Sequence, residues 1–486
     1  MNELVTTKQM RALESAALAR GIPEEVLMEQ AGKGLADLLA SRLAQGVTLV
    51  IFAGKGHNAG DAFVAARMLE EMGFCSIQLR LVHPPEQMKP LALEKFQKLR
   101  TGQIVPVDAP IPAGKAILLD ALLGIGFTGE LNDPVKHACE VMNRWRETYF
   151  TDVVSVDVPS GLGAPGGVIA DCTVTLGAPK VDLVADTVTA SVGRIVLIPL
   201  SGLNAPSAGD FVITPAWVRH TLPRKRNFDT HKGRAGRVGI VAGGPGCIGA
   251  ARLSAAAAVR AGAGLVTLFV PEKLYPIAAA SVIPEVMVRT FADLRSTEAD
   301  AWGVGPGLGQ TILPEIADWM RVLTKPAVVD ADALNWSSKT GLCALESPEG
   351  PRLLTPHPGE MTRLLAAWKP EFVGKSRAKQ AAEFAHAFGV ALLLKGSRTV
   401  LAQRGKPLAF NSTGTPAMAN GGMGDVLTGI CAALIGQGLD PYSAGGVGSW
   451  LLGRAGELAA PHGLGAGLLL DYLQAARQCA IDGIAW

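Results

Sequence analysis

Residues 411–427 read Asn-Ser-Thr-Gly-Thr-Pro-Ala-Met-Ala-Asn-Gly-Gly-Met-Gly-Asp-Val-Leu. Its centre, Gly421-Gly422-Met423-Gly424-Asp425, runs straight into Val426, Leu427, Ile430 and Leu434 at helical spacing, so a glycine-rich turn opens into a buried helix. A helix start leaves backbone N–H groups unpaired at the positive end of the dipole, and glycines let a phosphate approach them closely. An acid in such a turn is either a helix cap or a general base. Three glycines beside Asp425, and a second nucleotide-like stretch at Leu394-Lys395-Gly396-Ser397-Arg398-Thr399, favour a base that takes a proton from a substrate hydroxyl.

Working outward from that turn, strand-like segments recur at 236–241, 265–270, 301–304, 327–330, 353–354 and 391–394, with helical patterns between them such as 254–260 and 377–388. That alternation predicts an α/β sheet flanked by helices. Marked groups come after the strands: Gly305-Pro306-Gly307-Leu308-Gly309, Asp330-Ala331-Asp332, and Thr355-Pro356-His357-Pro358-Gly359-Glu360. Asp330 and Asp332 either bind a metal or order their turn, and His357 either caps a helix or meets a ligand.

The first half repeats the α/β pattern. Helical periodicity over 8–20 and 24–45 precedes a strand at 47–52, which leads through Ala53-Gly54-Lys55-Gly56-His57-Asn58-Ala59-Gly60-Asp61 into a helix from about 61 to 72. Gly54-x-Gly56-x-x-Ala59 taken alone is a weak dinucleotide fingerprint. The next strand, 76–82, ends at His83-Pro84 with no acid for an adenosine ribose, which disfavours a hydride-transferring dehydrogenase. The Walker pattern is absent. Two further strands end at Asp120, before Ala121-Leu122-Leu123-Gly124-Ile125-Gly126-Phe127-Thr128-Gly129-Glu130, and at Asp157, before Val158-Pro159-Ser160-Gly161. Three such turns gathered on one sheet edge predict a ligand site. Lys180 either faces that site or is a solvated surface lysine.

Composition narrows the partner. Forty-five basic and 43 acidic residues leave a net charge of +2 with no long run of either sign, which points away from nucleic acid and anionic membranes toward a small molecule. Seven scattered cysteines without a Cys-x-x-Cys suit a reducing cytoplasm. The apolar run over 253–271 is broken by Arg260, Gly262 and Gly264, so no membrane span is expected. At 486 residues two domains are expected, 1–212 and 213–486, joined through the Pro-, Gly- and Arg-rich region between 199 and 236.

The first-half motifs together resemble the NAD(P)H-hydrate epimerase family, which implies a Rossmann-like fold. The resemblance implicates His57, Asn58, Ala59, Gly60, Asp61, Gly124 through Glu130, and Asp157 in contact with the hydrated nicotinamide nucleotide, with Asp157 catalytic. It also implies K⁺ bound by Asn58, Asp120 and Ser160, oxygen ligands that suit a hard cation. His57, Ala59 and Ala62 stand where that family usually has Asn, Gly and Gly, which adds a methyl group where backbone approaches ligand.

The second-half motifs, with Thr230-His231-Lys232-Gly233, resemble the NAD(P)H-hydrate dehydratase family, which implies a ribokinase-like fold, Mg²⁺, and ADP, with ATP as the alternative, as phosphoryl donor. Matching residues would be Lys395, Gly396, Ser397, Arg398, Thr399 and Gly424 for nucleotide and Ala250, Gly307, His357 and Asp425 for substrate, with Asp425 catalytic. The expected substrates are the hydrates of NADH and NADPH, with a homo-oligomer as the expected assembly. The rival reading is a ribokinase-like small-alcohol kinase carrying a non-catalytic nucleotide-binding module.

Overall fold

A computed structural model describes residues 2–43, 46–74, 76–112, 114–203, 208–223, 225–311, 313–340, 342, 349–460 and 464–485. The chain divides into two compact units that part between Val212 and Ile213.

The first unit is built on a seven-stranded sheet whose neighbouring strands are Gln103–Ile104, Ile77–Leu81, Val47–Ala53, Lys115–Ala121, Asp152–Val156, Cys172–Leu176 and Arg194–Ile198. All pairings are parallel. Near-continuous apolar strands such as Val47–Ala53 are what a sheet covered on both faces requires. The strand order reverses direction between Val47–Ala53 and Lys115–Ala121, and at such a switch point the carboxyl ends open a crevice. The helix expected from about 61 begins at His57, so His57, Asn58, Ala59, Gly60 and Asp61 form its first turn rather than a loop before it. Gly56 supplies the extended residue that precedes it, and Asp61 is thereby turned inward and buried.

The second unit holds a sheet in the order Val286–Thr290, Leu265–Val270, Arg237–Val241, Ala301–Val304, Ala327–Val329, Arg352–Leu354, Ala391–Leu394, Thr399–Ala402 and Ala409–Asn411. Pairing is parallel as far as Ala391–Leu394 and antiparallel through the last two strands. Those two are not marked in the sequence, where their ends at Thr399 and Asn411 belong to stretches read as nucleotide-binding turns. Val286–Thr290, Cys172–Leu176 and Arg194–Ile198 are likewise strands that sequence patterning did not single out. In the region between 199 and 236 the helix Pro215–Thr221 forms, while residues 204–207 and Arg224 lie outside the described residues.

The helix Met423–Gly436 is the spine of this unit, with every residue from Val426 to Ile435 buried. Burial of Val426, Leu427, Ile430 and Leu434 is worth about 1.5–3 kcal/mol each. One face lies on the strand Ala301–Val304, where a Cβ on Gly303 would come 3.1 Å from Thr428 Cγ2. The other meets the helix Ile248–Arg260 so closely that a Cβ on Gly429 would lie 2.1 Å from the Ser254 carbonyl oxygen. We therefore expect Gly429→Ala to destabilise the second unit by about 1–3 kcal/mol through overpacking. A lowered midpoint in thermal or denaturant unfolding, with the first unit's transition unmoved, checks it.

Candidate functional sites

Each unit gathers its marked residues at the carboxyl edge of its sheet. In the second unit, Asp330 follows Val329 and Lys395 follows Leu394, two strands apart, and their side chains meet with Nζ 2.7 Å from Oδ1. The other Asp330 oxygen accepts from the Thr428 hydroxyl at 2.9 Å, which ties the pair to the buried helix. Asp330 is thus held by lysine and threonine, and Asp332 accepts the Gly309 N–H at 2.8 Å, so both aspartates order their surroundings. Burial alone would lower the Lys395 pKa, but Asp330 and Glu360 outweigh it and hold the ammonium charged.

Asp425 sits in the first turn of the helix Met423–Gly436, behind Gly422, whose φ of +91° is a left-handed value that favours glycine. Gly424 faces the ion pair, since a Cβ there would lie 3.1 Å from Lys395 Nζ and 3.3 Å from Asp330 Oδ2. Burial, then the charge of Asp330, raises the Asp425 pKa to about 6, against the pull of Lys395. A carboxylate so placed is ionised at neutral pH yet basic enough to accept a proton.

The remaining expected residues surround this centre unevenly. Ala250 and Gly307 touch, a Cβ at 307 standing 3.1 Å from that of Ala250 and 2.7 Å from that of Cys247. His357 is exposed and does cap a helix, its Nδ1 accepting from the Gly359 N–H at 3.0 Å while Glu360 accepts from the His357 N–H at 2.8 Å. Burial, then Lys395 and Arg363, lowers the pKa of this ring. Gly396 and Ser397 are exposed, and the Thr399 hydroxyl donates to the Gly396 carbonyl at 3.0 Å. Arg398 differs from these, because its side chain is buried and burial lowers its pKa to about 10. A cavity of about 530 Å³ opens beside Gly244, Leu308 and Gly309; the sequence marked the 305–309 turn on its wall but not the cavity itself.

In the first unit Asp157, Asp61, Glu14 and Lys180 share one electrostatic neighbourhood. Asp157 adopts φ +68°, a left-handed conformation rare outside glycine and tolerated best by Asn and Asp. Its Oδ1 accepts from the Leu176 N–H at 3.1 Å and from Lys180 Nζ. Lys180 is buried and also donates to the Leu176 carbonyl at 2.9 Å, so the solvated reading of this lysine is wrong. The positively charged end reaches inward to Asp157 because the backbone of Pro179 and Val181 is pinned to Val5. Burial, then Asp157 and Glu14, raises the Asp61 carboxyl well above the usual range. Burial also lowers the His57 pKa, against Glu24, 3.3 Å away.

Asp120, Ser160 and Asn58 converge around Leu123. Ser160 Oγ donates to Asp120 Oδ1 at 2.5 Å and accepts from the Leu123 N–H at 2.9 Å. The Asn58 amide nitrogen donates to the carbonyls of Leu123, at 3.0 Å, and Val156, at 2.7 Å. Burial raises the Asp120 pKa, against hydrogen bonds from Ser160 and Ser155. Gly124 cannot carry a side chain, because a Cβ there would lie 2.4 Å from Asn58 Oδ1. Ile125 through Glu130 form the exposed to half-buried loop after it. Among the described residues no three acids, histidines or cysteines are spaced to hold a metal ion by themselves.

Residues 238–478 match the family model described as NAD(P)H-hydrate dehydratase, and residues 24–181 match that of the YjeF-related protein N-terminus. The bifunctional NAD(P)H-hydrate repair enzyme Nnr of Moorella thermoacetica is 37% identical, over 97% of this chain and 96% of that one. The Coxiella burnetii enzyme of the same name is 33% identical, over 97% and 98%. Among solved structures, an ADP/ATP-dependent NAD(P)H-hydrate dehydratase from Bacillus subtilis co-crystallised with ATP/Mg²⁺ is 31% identical, covers 57% of this chain and all of its own, and has a TM-score of 0.49.

The buried Asp157–Lys180 pair makes its own prediction. Lys180→Met strands a buried carboxylate and should destabilise the first unit by about 3–5 kcal/mol. Asp157→Asn combined with Lys180→Met should recover most of that loss, as read in a double-mutant cycle of denaturant unfolding.

Proposed function

The chain belongs to the family of bifunctional NAD(P)H-hydrate repair enzymes, and from that membership we propose how its two units share the work. The first unit interconverts the R and S hydrates of NADH and NADPH. The second dehydrates the S hydrate to NAD(P)H, consuming ADP, with ATP as a second donor, and releasing AMP and phosphate when ADP is used. The observation that carries the second assignment is Asp425, a desolvated carboxylate with a pKa of about 6 at the mouth of a glycine-lined helix, beside a lysine.

Hydroxide is a poor leaving group. Asp425 takes the proton of the ring hydroxyl as its oxygen bonds to the terminal phosphorus of ADP, whose bond to the bridging oxygen breaks and frees AMP. The Gly422–Gly424 backbone and Lys395 face the transferring phosphoryl, while Lys395 to Thr399 carry the nucleotide. The ring-nitrogen electron pair then expels phosphate, and loss of a proton from the adjacent ring carbon restores the dihydronicotinamide. Ala250, Gly307 and His357 hold the ring. Magnesium prefers phosphate oxygens and water to an all-protein cage, and would sit on the nucleotide with Asp330 and Asp332 as the nearby acids, supplying charge neutralisation.

Epimerisation acts on a carbon that bears both hydroxyl and ring nitrogen. The nitrogen pair releases the hydroxyl as water, and water returns to the opposite face. Asp157 exchanges the proton, oriented by Lys180, with Asp61 beside it and the 57–61 and 124–130 segments holding the nucleotide. The Leu123 and Val156 carbonyls, with Asn58, Asp120 and Ser160, offer oxygens suited to K⁺ once the Asn58 amide is turned to present its oxygen. Bound there, K⁺ would supply a fixed positive charge. The cytoplasm suits this chemistry, and the five described cysteines are free thiols.

A coupled assay with each epimer, ADP and Mg²⁺ tests the scheme through recovered dihydronicotinamide absorbance and released phosphate. Asp425→Asn should cut dehydration by about 10²–10⁴-fold while ADP still binds. Residual turnover near wild type would remove the base from the scheme. Because the base works only when ionised, kcat/KM should rise with pH through a midpoint near 6 and level off above it. Asp332→Asn removes a charge that raises this pKa, so the midpoint should move down. With R hydrate alone, Asp157→Asn should reduce turnover to the spontaneous epimerisation rate and leave S hydrate turnover unchanged.

A further inference from the structure

The dehydration chemistry uses Asp330, Asp425 and Lys395 in the middle of the second sheet's edge and leaves the 530 Å³ cavity at its other end unused. That cavity is walled by the turns and helix starts at the carboxyl ends of the strands Ala301–Val304, Arg237–Val241, Leu265–Val270 and Val286–Thr290. Strands lie about 4.8 Å apart, so it begins one strand from Asp330 and ends four strands away, a reach of roughly 5–19 Å. It is joined to the reacting centre through the Gly307–Gly309 turn, whose Gly309 N–H is held by Asp332. The nucleotide stretch 395–399 lies on the opposite side of Asp330.

Resting on the dehydratase reading, we infer that this cavity takes the adenosine half of the hydrate, and that its chemistry favours a substrate without a 2′-phosphate. Pro271, Phe291, Leu308 and Leu313 supply apolar surface for a purine. Glu272, in the turn after the strand Leu265–Val270, and Glu315, in the first turn of the helix Pro314–Arg321, supply carboxylates that accept from ribose hydroxyls. No lysine or arginine is among the described lining residues, so a 2′-phosphate would meet two like charges and no cation. The glycine-rich crevice thereby spans phosphoryl donor, reacting ring and adenosine in that order along one edge.

The test uses the full-length protein with ADP and Mg²⁺ and three S hydrates: of NADH, of NADPH and of reduced nicotinamide mononucleotide. Wild type should prefer NADH hydrate over NADPH hydrate in kcat/KM by about 10-fold, and Glu272→Gln with Glu315→Gln should bring that ratio close to one. Ala292→Trp, which fills the cavity, should raise KM for NADH hydrate about 10-fold or more and change KM for the mononucleotide hydrate less than about twofold. An NADPH preference, a ratio that the glutamine changes leave unmoved, or equal losses on mononucleotide and dinucleotide would overturn the inference while leaving the dehydratase reading intact. Wild type that regenerates dihydronicotinamide from none of the three would overturn that reading and the subsite with it. Should Ala292→Trp fail to fold, the glutamine pair decides the matter alone.

Discussion

Asp330, Glu360 and Asp425 surround the Lys395 ammonium at the centre of the second unit, and their unequal pairing with it is the constraint on which the rest depends. Lys395 bonds Asp330 and not Asp425. Buried ion pairs contribute little net stability once desolvation is counted, but they fix where charges sit. Here the pair ties the ends of two strands to the helix Met423–Gly436 through Thr428, which holds the Gly422–Gly424 turn against the sheet. Asp425, without a lysine of its own, keeps a pKa of about 6. A dedicated cation would lower that value and make the group a weaker base at neutral pH.

The first unit repeats that division of roles. Its strand-end aspartate, Asp157, is bonded to Lys180 as Asp330 is to Lys395, while Asp61, near the start of its helix like Asp425, has its carboxyl pKa raised by burial and by Asp157 and Glu14. A lysine-paired carboxylate beside one whose hold on a proton is strengthened by burial is a setting for exchanging protons in both directions, as an epimerisation demands. The left-handed backbone at Asp157 is strain kept at the site by the packed strand ends around it. Both sheets place these groups at the carboxyl edge; in the first unit they lie near the point of reversed strand order, whereas in the second Asp330 and Lys395 end strands beyond the reversal between Arg237–Val241 and Ala301–Val304.

Local sequence was informative where one residue type has few uses. Glycine turns after apolar runs marked the α/β class and several strand ends, because buried parallel strands are near-continuous hydrophobic runs. The strand Ala409–Asn411 ends where the glycine-rich stretch begins and is absorbed into it, and the helix at His57 starts earlier than its apolar pattern because its first turn is made of small and polar residues. Lys180 is the sharper lesson. A lysine after Gly-Ala-Pro reads as solvated, and only the fold brings the Asp157 carboxylate to its Nζ.

By itself, then, the order of amino acids determined the α/β architecture, the family, and the places where glycines and acids follow strands, since those depend on local sterics and periodicity. Which acid is paired, which is held near pH 6, which lysine is buried, and that a cavity lies beside Gly309 were decided by the tertiary structure alone. The reason is that desolvation and charge pairing act between side chains tens to hundreds of residues apart, and no local pattern records the distance between them.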